Sequence, residues 1–314
     1  MRCLNSVLVT CALASGACAS AYAKIDRVVE KSFQVQSGVH LTVATSGGDI
    51  RVSPSDGSTV KVVAKEHIHA SDDAEADSIL KDLELTIELR GNEVVATAHY
   101  GKGSGFHIGF WPPVQVDFVV TAPRDASGDL KTSGGDVVVG DLGGRIKART
   151  SGGEIKLGKM GSDVDASTSG GDVELEEAAG ETKLGTSGGN IAVGRIAGPA
   201  ELHTSGGDIK VETVENTLNA DTSGGNVKAG FKGPLKGDCS LSTSGGEVKA
   251  TIGRAVGLRL DARTSGGDVN ADGLTITIDH GGVGKSSLSG NVNGGGPLLK
   301  LRTSGGNIEI EEKG

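Results

Sequence analysis

A single phrase, Thr-Ser-Gly-Gly followed by Asp, Glu or Asn, returns along this chain at a fixed interval. It begins at Thr132, Thr150, Thr168, Thr186, Thr204 and Thr222, 18 residues apart each time, then at Thr243 and Thr264 after two intervals of 21. Further copies begin at Thr45 and Thr303, and a degraded one spans Ser287 to Val292. A short, constant period marks a solenoid, in which each unit buries its apolar face only by stacking on its neighbours.

Within a unit the apolar positions fall five, seven, ten, fourteen and sixteen residues after the Thr, as in Val173, Leu175, Ala178, Thr182 and Leu184. The next unit repeats them as Ile191, Val193, Ile196, Ala200 and Leu202. Alternation by two at each end of the unit predicts short strands with one face inward, and helical spacing is absent. Eighteen residues leave room for two or three strands per coil, stacked in parallel and in chain order ~4.8 Å apart. Ten or eleven such coils would form a rod ~50 Å long. The expected class is all-β, a parallel β-solenoid of about ten coils over 132–314, with a small α+β capping unit before it.

Composition agrees with a thin core. The chain has 52 glycines but only five Phe, two Tyr and one Trp, too few aromatics to fill a thick interior. Residues 1–23 read as a secretory leader: Arg2, an apolar stretch from Leu4 to Ala14, and Ala21-Tyr22-Ala23 as a small-x-small cleavage signal. The stretch is too short to span a bilayer as a helix, and no later segment is apolar enough. Lipidation at Cys18 is the weaker reading, because the bulky apolar residue expected three positions earlier is missing. Export to the periplasm, cell surface or medium is expected. Cys239 is the one cysteine left after cleavage, so no internal disulfide can form. The leader carries one base and no acid, so the remaining chain has a net charge of −10. That balance argues against nucleic acid or an anionic membrane as the main partner.

Residues 24–131 interrupt the repeat. Val60 to Ile68 alternates like a strand, Asp72 and Glu75 read as a helix start, and Ala76, Ile79, Leu80 and Leu83 share one helical face. Leu83–Leu89 and Glu93–His99 flank Gly91-Asn92 as a hairpin, and Val114–Thr121 is a further strand. Such a unit would cover a solenoid end that otherwise invites aggregation.

The TSGGD repeats resemble the DUF4097 putative-adhesin family of bacterial envelope and secreted proteins. So do the acidic helix before an alternating hairpin, Val116-Asp117-Phe118-Val119-Val120-Thr121-Ala122-Pro123 ahead of the repeats, and the ending from Gly294 to Asn307. The resemblance covers nearly the whole mature chain. It implies a β-solenoid with a role in adhesion or envelope-stress sensing, and it supplies no catalytic motif.

Candidate chemistry concentrates in the column that follows the glycines: Asp136, Glu154, Asp172, Asn190, Asp208, Asn226, Glu247, Asp268, Asn291 and Asn307, with Asp49 at the capped end. Stacked carboxylates and amide oxygens could ligate a hard cation such as calcium, or face a glycan. The competing reading is turn chemistry, with Gly-Gly supplying unusual backbone angles and Asp or Asn accepting freed N–H groups. Like charges one strand apart in water repel by only ~0.9 kcal/mol, so no metal is needed to tolerate them. Four Asn among the ten also favour turn chemistry; Glu154 and Glu247 oppose it. No other cofactor is indicated. The Thr column has inward parity and lacks a recurring base, which predicts a structural ladder rather than nucleophiles. His67 and His69 share a face with Lys61 and Lys65, and His99 lies on a strand nearby; a solvated face is expected there over a metal site. Gly284-Lys285-Ser286 lacks the leading glycine and the strand-to-helix context of a phosphate loop.

Phe106, His107, Phe110 and Trp111 sit in a glycine-rich loop between 101 and 113 and form the one aromatic cluster of the chain. They read equally as a partner-contact tip or as a hydrophobic plug. A non-enzymatic binding or adhesin-like scaffold that engages an envelope protein or glycan is the expected function. An envelope-stress sensor acting through the aromatic loop is the alternative. A polysaccharide-active β-helix enzyme comes third, since no coil adds the paired carboxylates it would need.

Overall fold

The computed structural model describes residues 23–101, 113–278 and 283–313. The chain divides into two compact units, one comprising residues 1–144 and 148–151 and the other 145–147 and 152–314.

The first unit contains β1 (Ala23–Gln34), β2 (His40–Thr45), β3 (Ile50–Ser55), β4 (Thr59–Ala70), α1 (Asp73–Leu80), β5 (Leu83–Arg90), β6 (Glu93–Tyr100), β7 (Val114–Pro123), β8 (Ser127–Lys131) and β9 (Val137–Val139). One layer runs β1-β4-β7-β3-β9 and the other β8-β2-β6-β5. β1, β4 and β7 are antiparallel, whereas β3 lies parallel to both β7 and β9. The Thr45 copy is therefore already a coil, with β2 in one layer and β3 in the other. Ile50 and Val52 from one layer and Leu41 and Val43 from the other are buried in the core. The expected hairpin forms, with Arg90 opposite Glu93 and Gly91 at φ +62° making the turn. The helix starts where Asp72 predicts: its Oδ1 accepts the Glu75 N–H at 2.8 Å, and Glu75 reaches back to the Ser71 N–H at 2.8 Å. Such reciprocal bonds satisfy donors that the first helical turn leaves free.

β10 (Ile146–Arg149) straddles the division between the units. Beyond it, each coil of the second unit supplies two strands. In chain order they are β11 (Ile155–Met160) with β12 (Val164–Ser167), β13 (Val173–Ala178) with β14 (Thr182–Gly185), and β15 (Ile191–Ile196) with β16 (Ala200–His203). Next come β17 (Ile209–Val214) with β18 (Leu218–Thr222), β19 (Val227–Phe231) with β20 (Cys239–Thr243), and β21 (Val248–Gly253) with β22 (Leu258–Thr264). β23 (Val269–Asp272), β24 (Ile276–Thr277), β25 (Val283–Gly284), β26 (Ser287–Val292), β27 (Leu298–Thr303) and β28 (Ile308–Lys313) complete it. Stacking is parallel and in register, Val173 on Ile191 and Leu184 on Leu202. The five predicted inward positions are buried in both units named above, Thr182 and Ile196 completely. The β-solenoid expected from the period is the fold.

Among the parallel coils of the second unit, chain order is broken where the last one lies. β28 lies between β21 and β23, and β27 lies between β20 and β22, parallel to both neighbours in each case. The Thr303 copy is thus intercalated between the Thr243 and Thr264 copies, where stacking in chain order was expected. The degraded copy is not a coil at all. As β26 it runs antiparallel to β22 and carries β24 and β25 antiparallel on itself.

Candidate functional site

The repeated phrase resolves into two ladders of hydrogen bonds between coils. In the first, each Thr hydroxyl donates to the carbonyl of the second Gly of the coil beneath. Thr168 Oγ1 reaches Gly153 O at 2.9 Å and Thr204 Oγ1 reaches Gly189 O at 2.9 Å. The same oxygen accepts from the second Gly of its own copy, Gly207 N–H to Thr204 Oγ1 at 3.3 Å. These Thr side chains are at most 8% exposed. A hydroxyl with both roles filled in a buried ladder has no proton partner for nucleophilic work.

In the second ladder, the Asp or Asn after the glycines accepts the backbone N–H of its counterpart one coil up. Asp172 Oδ1 takes Asn190 N–H at 2.6 Å, Asn190 Oδ1 takes Asp208 N–H at 2.8 Å, and Asp208 Oδ1 takes Asn226 N–H at 2.7 Å. Asn226 Oδ1 continues to Glu247 N–H at 2.9 Å, and Asn307 Oδ1 to Asp268 N–H at 3.0 Å. Asp and Asn serve interchangeably because the bond needs an acceptor, not a charge. Asp136 joins the same pattern in the first unit, where its N–H bonds Asp49 Oδ1 at 3.0 Å. Glu154 occupies the equivalent place on the second unit and pairs with Lys156 at 2.8 Å. Asn291, on antiparallel β26, lies outside the parallel column.

The glycines act differently from expectation. None of the Gly-Gly pairs in the repeats has a positive φ among the described residues, so unusual backbone angles are not their purpose. Space is. A Cβ on Gly207 would lie 1.9 Å from Gly189 O, and one on Gly171 would lie 2.1 Å from Gly153 O. The first Gly is less confined: a Cβ on Gly206 would meet nothing nearer than 3.5 Å. The second Gly is the position where two successive coils press backbone against backbone.

The first unit extends its ladder one step further than the repeats. β7 stands in for a coil there: Thr45 Oγ1 donates to Val116 O at 2.8 Å and Asp49 N–H to Asp117 Oδ1 at 2.9 Å. The other Asp117 oxygen meets His67 Nε2 at 3.0 Å, and His67 Nδ1 meets Asp26 Oδ1 at 2.7 Å. His67 therefore does not sit on a freely solvated face. Its side chain is 20% exposed and held between two carboxylates on β1 and β7. His69 shares β4 with it, while His99 stands on β6 in the other layer. Among the described residues no group of three or more His, Cys, Asp or Glu side chains is placed to hold a metal ion.

The outward face of the second unit holds a groove that the repeat phrase does not announce. It has a volume of about 620 Å³ and lies across β17, β19 and β21. Lys210, Lys228 and Lys249 form one rail, in register on successive strands. Lys232 and Lys313 flank Gly253 as a second rail, with Arg254 beside it. Between the rails the outward positions are Glu212, Gly230 and Thr251. Gly230 leaves the strand bare, since a Cβ there would lie 2.5 Å from Glu212 O. Lys210 pairs with Glu212 at 2.5 Å, and Lys249 with Glu309 at 3.2 Å and Glu311 at 2.6 Å. The Glu212 carboxyl is held below its usual range by its hydrogen bond to Lys210 and that residue's charge, with further help from Lys232 and Lys313. The sequence signal for this rail is the residue six places after each Thr, which is Lys in three consecutive copies and Glu or Ala in the two before.

Phe106, His107, Phe110 and Trp111 lie outside the described residues, as do residues 1–22 of the leader, Cys18 among them. Cys239 is buried, and burial pushes its thiol up to about 11.

In this β-solenoid the repeated Thr hydroxyls and Asp or Asn oxygens are engaged in bonds between coils. The sequence model of the family described as Toastrack DUF4097 matches residues 39–311, and the chain belongs to that family. Among solved structures it is similar to a "putative adhesin" from Bacteroides fragilis, at 14% identity over 91% of this chain and 97% of that one, with a TM-score of 0.34. It is also similar to a "putative lipid binding protein" from Parabacteroides distasonis (11% identity, 91% and 97% covered, TM-score 0.28). A "putative cell adhesion protein" from Clostridium sporogenes is a third (13% identity, 91% and 100% covered, TM-score 0.22). Likenesses this distant carry no argument about function. No curated protein matches the chain. No helix among the described residues is long and apolar enough to cross a membrane.

Proposed function

We propose that this protein is a non-enzymatic, exported binding scaffold of the bacterial cell envelope, adhesin-like in use, whose partner is an envelope glycan or protein. One observation carries the reading. The Thr hydroxyls and most of the Asp and Asn side chains that the repeat lines up are engaged in bonds between coils, while the outward position six after each Thr varies along the stack, from Lys156 through Glu174 and Ala192 to three successive Lys. A solenoid built this way separates support from recognition, with the ladders holding the backbone and the outward rows free to diverge. The leader-like residues 1–23 support export.

The test is capture from envelope extract by the immobilised chain, with the glycan and protein fractions assayed separately. Retention of one fraction over a bovine serum albumin control is the expected result. Turnover of a polysaccharide in the same assay, seen as new reducing ends, would overturn the non-enzymatic reading.

A further inference from the structure

In one column of the second unit charge alternates up the stack, with Lys159, Glu177 and Arg195 in register on β11, β13 and β15. Arg195 sits between Glu177 and Glu215, at 2.5 and 2.7 Å. Opposite signs one strand apart stabilise a sheet face, and like signs directly opposite destabilise it. The run Lys210, Lys228, Lys249 breaks that habit in register on three neighbouring strands. Lys228, in the middle, is exposed and faces a like charge on either side. The groove is lined by six cations, Lys210, Lys228, Lys232, Lys249, Arg254 and Lys313, and one acid, Glu212, in a chain whose net charge is −9. Lys210, Lys249 and Arg254 are paired with Glu212, with Glu309 and Glu311, and with Glu312, which leaves Lys228, Lys232 and Lys313 as the cations whose mutual repulsion a ligand of opposite charge would relieve.

We infer that this groove binds a short stretch of a uronate-bearing polysaccharide, laid along the stacking direction between the two basic rails. The inference rests on the scaffold reading above and names its ligand class.

Length and chemistry select the class. Three or four strands at ~4.8 Å make a basic track on the order of 10–15 Å long, enough for a few sugar residues and too short for an extended polyanion held by charge alone. Glu212 bounds the track on one side and Glu309 and Glu311 on the other. These carboxylates repel any anion, a polyphosphate with charge on every unit and no hydroxyl along its chain more than a uronate glycan, whose hydroxyls they and the Thr251 hydroxyl can accept in hydrogen bonds. A ligand that carries both carboxylates and hydroxyls uses all of these groups. At Gly230 the bare backbone lets a sugar ring approach closely.

The experiment is calorimetric titration of the whole chain with oligogalacturonate, with maltohexaose as the neutral control and inorganic polyphosphate as the dense polyanion. Oligogalacturonate should bind, weakening as salt rises, and maltohexaose should not. Lys228→Glu combined with Lys232→Glu should weaken oligogalacturonate binding by roughly tenfold or more. Circular dichroism should show the fold of this variant unchanged, both side chains being exposed. Equal binding by variant and wild type overturns the groove, as does polyphosphate binding more tightly than oligogalacturonate. If oligogalacturonate fails but envelope glycan is still captured, the groove inference falls and the scaffold reading stands. If nothing from the envelope is captured either, both fall.

Discussion

Asp172 Oδ1 accepts the backbone N–H of Asn190 at 2.6 Å, one coil away and 18 residues on. The bond asks for an oxygen and not for a negative charge, and this separates two accounts of the column. Asp172→Asn should leave stability within about 0.5 kcal/mol of wild type, because the amide oxygen replaces the carboxylate oxygen. Asp172→Ala should cost about 1 kcal/mol or more, because the Asn190 N–H loses its acceptor. Urea unfolding of the three proteins, with and without calcium, checks this. Equal losses in Asp172→Asn and Asp172→Ala, with calcium stabilising the wild type but neither variant, would favour a cation column.

Gly207→Ala places a methyl 1.9 Å from Gly189 O, so one coil must lift from the next. The expected loss is at least the ~1–3 kcal/mol of an overpacked core. Its neighbour Gly206→Ala meets nothing nearer than 3.5 Å and should stay within about 0.5 kcal/mol of wild type. Thermal melts of this adjacent pair measure the stacking contact with chain position held almost constant.

His67 ties β1, the edge strand of its layer, to the column through Asp26 and Asp117. His67→Ala should cost about 1 kcal/mol and raise hydrogen exchange over residues 25–34 before it affects β3 or β7. Unchanged exchange in β1 would show that the backbone ladder with β4 holds that strand by itself.

Glu66 stands on the core side of β4, 5% exposed. Burial raises its carboxyl above the usual 4.5, opposed by the charge of Arg27. In the folded state it therefore holds its proton to higher pH than in the unfolded chain. Stability contributed by this site is present at low pH and is lost as pH rises from about 4.5 through the folded value. Glu66→Gln should remove that slope and be the more stable protein at pH 7, as denaturant titrations across pH 4–8 would show. A steeper decline in the Gln variant would contradict it.

Cys239 is expected to resist thiol reagents at pH 7.5 while folded, since the nucleophilic thiolate is scarce when burial holds the thiol near 11. Mapping the labelled Cys239 peptide with and without urea distinguishes folded from unfolded reactivity.

Much of this was legible from the residues. Val173, Leu175, Ala178, Thr182 and Leu184 are inward in the sequence pattern and in the structure, because a period of two and a fixed repeat leave one way to bury them. The Asp72 helix start and the Gly91 hairpin are local, and local chemistry determined them. The intercalation of the Thr303 copy was not legible, since Thr243, Thr264 and Thr303 present the same phrase and any of them can stack on any other. The glycines were misread for a related reason: a sequence shows that a side chain is absent but not whether the backbone angle or an approaching neighbour requires it. The basic groove was visible as three lysines six places after three successive Thr residues. Its depth depends on Gly230 and on where Lys232 and Lys313 come to lie, which the period alone does not specify.

The intercalated copy has a consequence for how such a chain can change over time. An open stack gains or loses units at its tip without disturbing the rest. Here the Thr264 coil has no seat on the Thr243 coil until residues 298–313 are in place between them, so a duplication after Thr264 would have to be fitted beyond a position already closed. Duplications and deletions that keep the register belong instead to the uninterrupted run from Thr150 to Thr243. Relatives of different length are expected to differ there, by whole multiples of the coil.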